Sequence, residues 1–99
     1  MCPNVSERAI IARMSAEKIY LLWAERTPFF KVGITRQTVG KRASNIQTDC
    51  PFPLRVIGYF PGCRADEKAL HEQLASYRTH GEWFALPEEE VWKLLPSFL

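Results

Sequence analysis

Apolar positions fall along this chain in short runs separated by polar breaks, and the runs have two different periods. "KIYLLWAE", from Lys18, and "PFFKVGIT", ending at Thr35, are strand-length and rich in β-branched and aromatic residues. They predict strands at about 18–24 and 29–35, joined by a tight connection around Arg26, Thr27 and Pro28. "RQTVGKRASNIQT" then predicts a short helix with Thr35 or Thr38 as N-cap, ended by the break "DCPFP". "LRVIGYF" alternates as a third strand does, and "PG" closes it. The strongest helical period lies in "CRADEKALHEQLASYR", where Ala65, Ala69, Leu70, Leu74 and Tyr77 recur at three- and four-residue steps. It predicts about four turns ending near "THG", with Gly81 as the stop. "PEEEVWKLLPSF" opens with Pro87 and three acids, as a helix N-terminus favours. Residues 1–15 are less committed: "ERAIIARM" suits a short helix capped by Ser6, or an arm.

The predicted order is β-β-α-β-α, followed by a tryptophan-containing segment and a C-terminal helix. This is a small α+β domain with a three-stranded, mainly antiparallel sheet flanked by helices. At 99 residues, without repeat or linker, residues 1–99 form one domain, too small to hold an active-site domain and a separate recognition domain. Apolar residues make up 46% and charged ones 24%, the composition of a chain that folds by itself.

Net charge is +2, too small to argue for a nucleic-acid partner, but its distribution says more. Lys18 to Arg64 is basic, whereas Asp66 to Leu99 is acidic and carries Glu88, Glu89 and Glu90 in a row. That asymmetry makes either a localised anion-binding face or ordinary solvated charge. Cys2, Cys50 and Cys63 are odd in number and lack C-x-x-C spacing, which predicts inert thiols rather than a disulfide framework or zinc site. No apolar run approaches the ~20 residues of a membrane span, so the expectation is a soluble, cytoplasmic protein away from membranes.

Polar residues interrupt the first two strands where a core would take apolar ones: Tyr20, Lys31 and Gly33. Singly, they read as a strand aromatic, an edge-strand charge and a bulge glycine, and Arg42 as a solvated helix residue. On the long helix Glu67 and His71 stand four apart and share a face, and both types bind divalent metal or move protons. Glu72 points elsewhere, and His80 reads as a helix-end residue. Trp23, Trp83, Phe84 and Trp92 read as packing residues, and Glu82 as a brace for a basic neighbour.

Taken together, the order of these pieces resembles the GIY-YIG nuclease superfamily. "KIY" (Lys18, Ile19, Tyr20) stands for the first hallmark and "KVG" (Lys31, Val32, Gly33) for the second, with ten residues between Tyr20 and Lys31. Arg42 in "GKRASNIQTDCP" is in the place of the family arginine, and Glu67 in "EKALH" in that of its metal-binding glutamate. With "GEWF", the pattern is similar to a compact phage and bacterial branch over residues 18 to 86. Lys18 replaces the first glycine, Lys31 replaces the second tyrosine, and the late asparagine has no counterpart after Glu67.

The resemblance implies a metal-dependent endonuclease hydrolysing phosphodiester bonds in DNA with low intrinsic sequence specificity. Glu67 holds one Mg²⁺ or Mn²⁺, Tyr20 orients or deprotonates the attacking water, and Arg42 and Lys31 pin the scissile phosphate. Gly33 keeps the strand clear for the phosphate backbone, Lys18, Arg36 and Lys41 add substrate contacts, and His71 is a proton shuttle or a partner of Glu67. Specificity comes from branched, nicked or modified DNA, or from a protein partner, because no recognition module is visible. The alternatives are a nucleic-acid-binding module without catalysis and a phage-type interaction protein on the same scaffold. The sequence leaves oligomeric state open.

Overall fold

The computed structural model describes residues 17–98. The helix or arm expected at residues 1–15 lies outside them. Strands β1 (Lys18–Ala24) and β2 (Phe29–Thr35) take the expected spans and pair antiparallel, with Tyr20 opposite Gly33 and Leu22 opposite Lys31. Thr27 closes the connecting turn: its N–H and Oγ1 both donate to Ala24 O, at 3.1 and 2.7 Å. Trp23 Nε1 donates to Thr27 O at 2.8 Å, which clips the turn from the side. Arg26 sits in the left-handed region at φ 67, where a side chain crowds its own backbone. Arg26→Gly is therefore expected to stabilise by about 0.5–1 kcal/mol and raise the melting temperature by a few degrees, with Arg26→Ala as control. An unchanged or lower melting temperature in the glycine variant would show that the turn carries no strain.

Helix α1 (Val39–Gln47) starts at Thr38, whose Oγ1 accepts from Lys41 N–H at 3.2 Å. Thr35 instead ends β2, accepting from Gln37 N–H at 3.0 Å. One face of α1 covers the sheet: Val39, Ala43 and Ile46 pack with Tyr20, Leu22 and Leu54. Strand β3 (Leu54–Pro61) pairs antiparallel with the other side of β1, with a bulge beside Leu21 and Leu22. β1 thus has a strand on either side and packed layers on both faces. This is why its run is continuously apolar rather than alternating: Ile19 to Leu22 are all fully buried.

Helix α2 (Arg64–Gln73) is anchored where Cys63 N–H donates to Asp66 Oδ2 at 2.8 Å. It stops about a turn before the predicted end. The buried Leu74 leads into a single 3₁₀ turn (Ala75–Tyr77), then strands β4 (Arg78–His80) and β5 (Trp83–Ala85) form a hairpin. The sheet therefore has five strands in the order β3-β1-β2-β5-β4, all antiparallel neighbours, rather than three. Gly81, at φ +57, makes the hairpin turn and is not a helix stop, and His80 is an exposed strand residue rather than a helix end.

Helix α3 (Glu88–Phe98) closes the opposite face and carries Pro96 in its last turn. The main core joins Ile19, Leu21, Phe30 and Val32 to Leu74, Phe84, Leu86, Leu94 and Phe98. Phe84 packs as expected, but Trp83 is only half-buried and Trp92 is 65% exposed, so neither is the core residue the sequence suggested. Cys63 is disulfide-bonded, which corrects the expectation of an inert thiol there, whereas Cys50 is free and Cys2 lies outside the described residues. No helix among the described residues is long and apolar enough to cross a membrane.

Candidate active site

The site grows from an incomplete strand pairing. β5 pairs with β2 only from Phe29 to Lys31. Past that point Val32 N–H donates to Glu82 O at 3.2 Å, and Val32 O accepts from His71 Nε2 at 2.8 Å. Because a carbonyl only accepts, Nε2 must carry the proton, and the ring rests against Phe84 at 5.3 Å. His71 is thus a clip that fixes α2 to the edge of β2, and it leaves Nδ1 for any proton traffic. One helical turn earlier, Glu67 is delivered to the same gap.

From the facing strand comes Tyr20. A Cβ on Gly33 would lie 2.3 Å from the Tyr20 hydroxyl oxygen and 3.0 Å from Glu82 Oε2. The phenol and a carboxylate therefore face each other across the space that glycine leaves, which no other residue type can leave. Arg42, from α1, donates through Nε to the Tyr20 oxygen at a long 3.5 Å. Lys31 lies 3.3 Å from Glu82 Oε2, with its ammonium 5.5 Å from the centre of the Trp83 ring. The phenol and the Glu82 carboxylate thus flank the glycine, with the Arg42 guanidinium on the phenol and the Lys31 ammonium on the carboxylate.

The electrostatics follow from this crowding. Burial pushes the Tyr20 phenol above its ordinary value; the Arg42 hydrogen bond and charge oppose it, and the negative charges of Glu82 and Glu67 add to it. Arg42 is raised in turn, chiefly by its hydrogen bond to Tyr20. Burial also raises Glu67, followed by repulsion from Glu82, against the pull of His71, Arg64 and Lys31. Glu67 is 6% exposed, and its Oε2 is the one buried side-chain oxygen or nitrogen among the described residues without a hydrogen-bond partner.

An orphaned carboxylate oxygen suits a hard divalent cation, which takes oxygen ligands and keeps much of its water. Among the described residues no group of three or more His, Cys, Asp or Glu side chains is gathered as a metal cage. Any ion here would rest on Glu67 and on the charge of Glu82, with water completing its shell. Glu67 and His71 also line an open groove of about 520 Å³ with Arg64, Lys68, Glu72 and Arg78.

The fold thus gathers Tyr20, Lys31, Gly33, Arg42, Glu67 and His71. Lys18 stands opposite Thr35 in the last β1–β2 pair, and the exposed Arg36 and Lys41 follow β2 and open α1, so the fold does not bring these three into the centre itself. The sequence foresaw Glu82 as a brace for a cation but not as a second carboxylate of the site. Its signal was "GEWF", in which the Gly81 turn sets Glu82 beside the residue that pairs with Lys31.

An antiparallel α+β scaffold with this charged centre fits the nuclease-like or DNA-binding module that the family match suggests. The chain belongs to the T5orf172 domain family, whose model matches residues 17–98. No curated protein and no solved structure matches it.

Proposed function

We propose that this protein is a metal-dependent endonuclease of the GIY-YIG plan, hydrolysing phosphodiester bonds in DNA with little intrinsic sequence preference. The observation that carries the reading is Glu67: a nearly buried carboxylate with an unpartnered oxygen, beside a second carboxylate. A module that only grips phosphates gains nothing from it, because buried unpaired charge destabilises the fold and repels the ligand.

Glu67, with Glu82 near it, would hold Mg²⁺ or Mn²⁺, which supplies Lewis-acid stabilisation of the phosphoryl oxygens. Tyr20, kept protonated by burial and its two acidic neighbours, orients the attacking water through its hydroxyl. The Arg42 hydrogen bond opposes that shift and favours proton loss when the carboxylates are neutralised. Lys31 exchanges Glu82 for a phosphate oxygen, while Arg42 offsets the charge growing on the phosphorane. Gly33 lets the backbone approach, and Lys18, Arg36 and Lys41 guide it from outside the centre.

The test is incubation of purified protein with supercoiled plasmid, linear duplex, a branched junction and single-stranded DNA, with Mg²⁺, Mn²⁺ or chelator. Cleavage is expected only with metal, and to fall by at least ~10²-fold in Glu67→Ala and Tyr20→Phe proteins whose circular dichroism is unchanged. If nothing is cut, and wild type and Glu67→Ala retain DNA alike in a salt-sensitive way, the protein is a binding module instead.

A further inference from the structure

Beside the charged centre, on the sheet face that carries Lys31, the chain leaves aromatic surface uncovered. Phe29 is 37% and Phe52 43% exposed. With Trp83, Ala24 and Cys50 they line an open pocket of about 270 Å³, walled almost wholly by carbon, with Thr79 and His80 at its edge. Exposed aromatic rings at a polar site need an explanation beyond packing, because α1 could have been built to cover them.

The link is Trp83. It lines this pocket, and its ring also carries the Lys31 ammonium at 5.5 Å. The register puts Trp83 directly opposite Lys31. The cation placed to take a phosphate and the aromatic pocket therefore share one side chain, so a phosphate held by Lys31 lies next to the pocket. We propose that Phe29, Phe52 and Trp83 form a stacking shelf for one unpaired nucleobase next to the phosphate bound by Lys31. This rests on the nuclease reading and names its substrate class: DNA with a base out of the duplex at the cut, as in a single strand, flap or junction. A lining so poor in polar atoms takes a base by its face, so base identity goes largely unread. Fully paired duplex keeps its bases stacked internally and gains nothing here.

The full-length chain is titrated, in chelator, with a short oligodeoxythymidylate and with a blunt duplex of the same length, across a salt series. Phe52→Ala, Phe29→Ala and Phe52→Leu are compared with wild type, each checked by thermal melting. Both alanine variants are expected to bind the single strand ~10-fold more weakly, with duplex affinity and salt slope unchanged, because the phosphate contacts remain. Phe52→Leu should lose most of the same affinity, since it keeps apolar volume but not the ring face. Unchanged single-strand affinity, equal loss on duplex, full recovery with leucine, or a dimer that dissociates on Phe52→Ala would each overturn the shelf. Using chelator separates this from the chemistry. Cleavage lost with Glu67→Ala but no effect of Phe52 sinks the shelf alone. A Phe52 effect in a protein that cuts nothing sinks the nuclease reading and leaves a single-strand binder.

Discussion

Gly33→Ala should lower stability by about 2–3 kcal/mol and cut cleavage by ~10²-fold or more. The added Cβ would stand 2.3 Å from the Tyr20 oxygen and 2.5 Å from the ring carbon that bears it. Neither group can step aside easily, because Tyr20 is fully buried beneath α1 and paired opposite the glycine. The ring must tilt, which strains the small α1 core and pulls the hydroxyl from Arg42. For a domain of this size the melting temperature should fall by about 10 °C or more. Adding Tyr20→Ala to Gly33→Ala gives the check: if the clash is real, the second substitution costs much less there than in wild type. Equal stability of Gly33→Ala and wild type would mean the ring has another place to go.

Glu67→Gln should abolish cleavage and yet stabilise the metal-free protein at neutral pH, by about 1–2 kcal/mol. The sign follows from burial, which raises the carboxyl above its ordinary 4.5. Between that value and the raised one, the unfolded chain has released a proton that the folded chain still holds. Stability is therefore complete below the ordinary value and is lost as pH rises through the folded one. Glutamine has no charge to bury, so the two proteins should melt alike near pH 4 and diverge above it, the variant melting higher. Adding Mg²⁺ or Mn²⁺ at neutral pH should then raise the melting temperature of wild type and not of Glu67→Gln. A variant less stable than wild type at every pH, or an equal response to metal, would remove Glu67 from the metal site.

The parts of this fold legible in the sequence were those with room to show a period. β1 and β2 were found to the residue because seven positions each suffice to reveal a strand, and the Thr38 cap was one of two candidates. β4 and β5 were missed because three residues cannot display alternation, and because Leu74 and Tyr77 continue the spacing of α2 while lying beyond its end. Missing that hairpin also hid the position of Glu82 and the exposure of Trp83, since both depend on the pairing of Trp83 with Lys31. The approach of Tyr20, Arg42 and Glu67 came from a family pattern; no local rule brings residues 22 and 47 positions away under the electrostatic influence of one phenol. The aromatic shelf had no signature at all, because Phe29 and Phe52 look like core residues until the layers are assembled.

The turn from Glu25 to Pro28 lies at the far end of the β1–β2 hairpin from Tyr20 and Gly33, on the side where Phe29 is exposed. Its two ends are already held together by the strand ladder, so extra residues there would add little closure entropy. An insertion at that tip would reshape the neighbourhood of the shelf while leaving the spacing of phenol, guanidinium and carboxylates untouched. On the nuclease reading proposed above, substrate choice and bond cleavage would thereby be mechanically uncoupled, and the hairpin tip would be the natural place to graft a new preference onto the same chemistry.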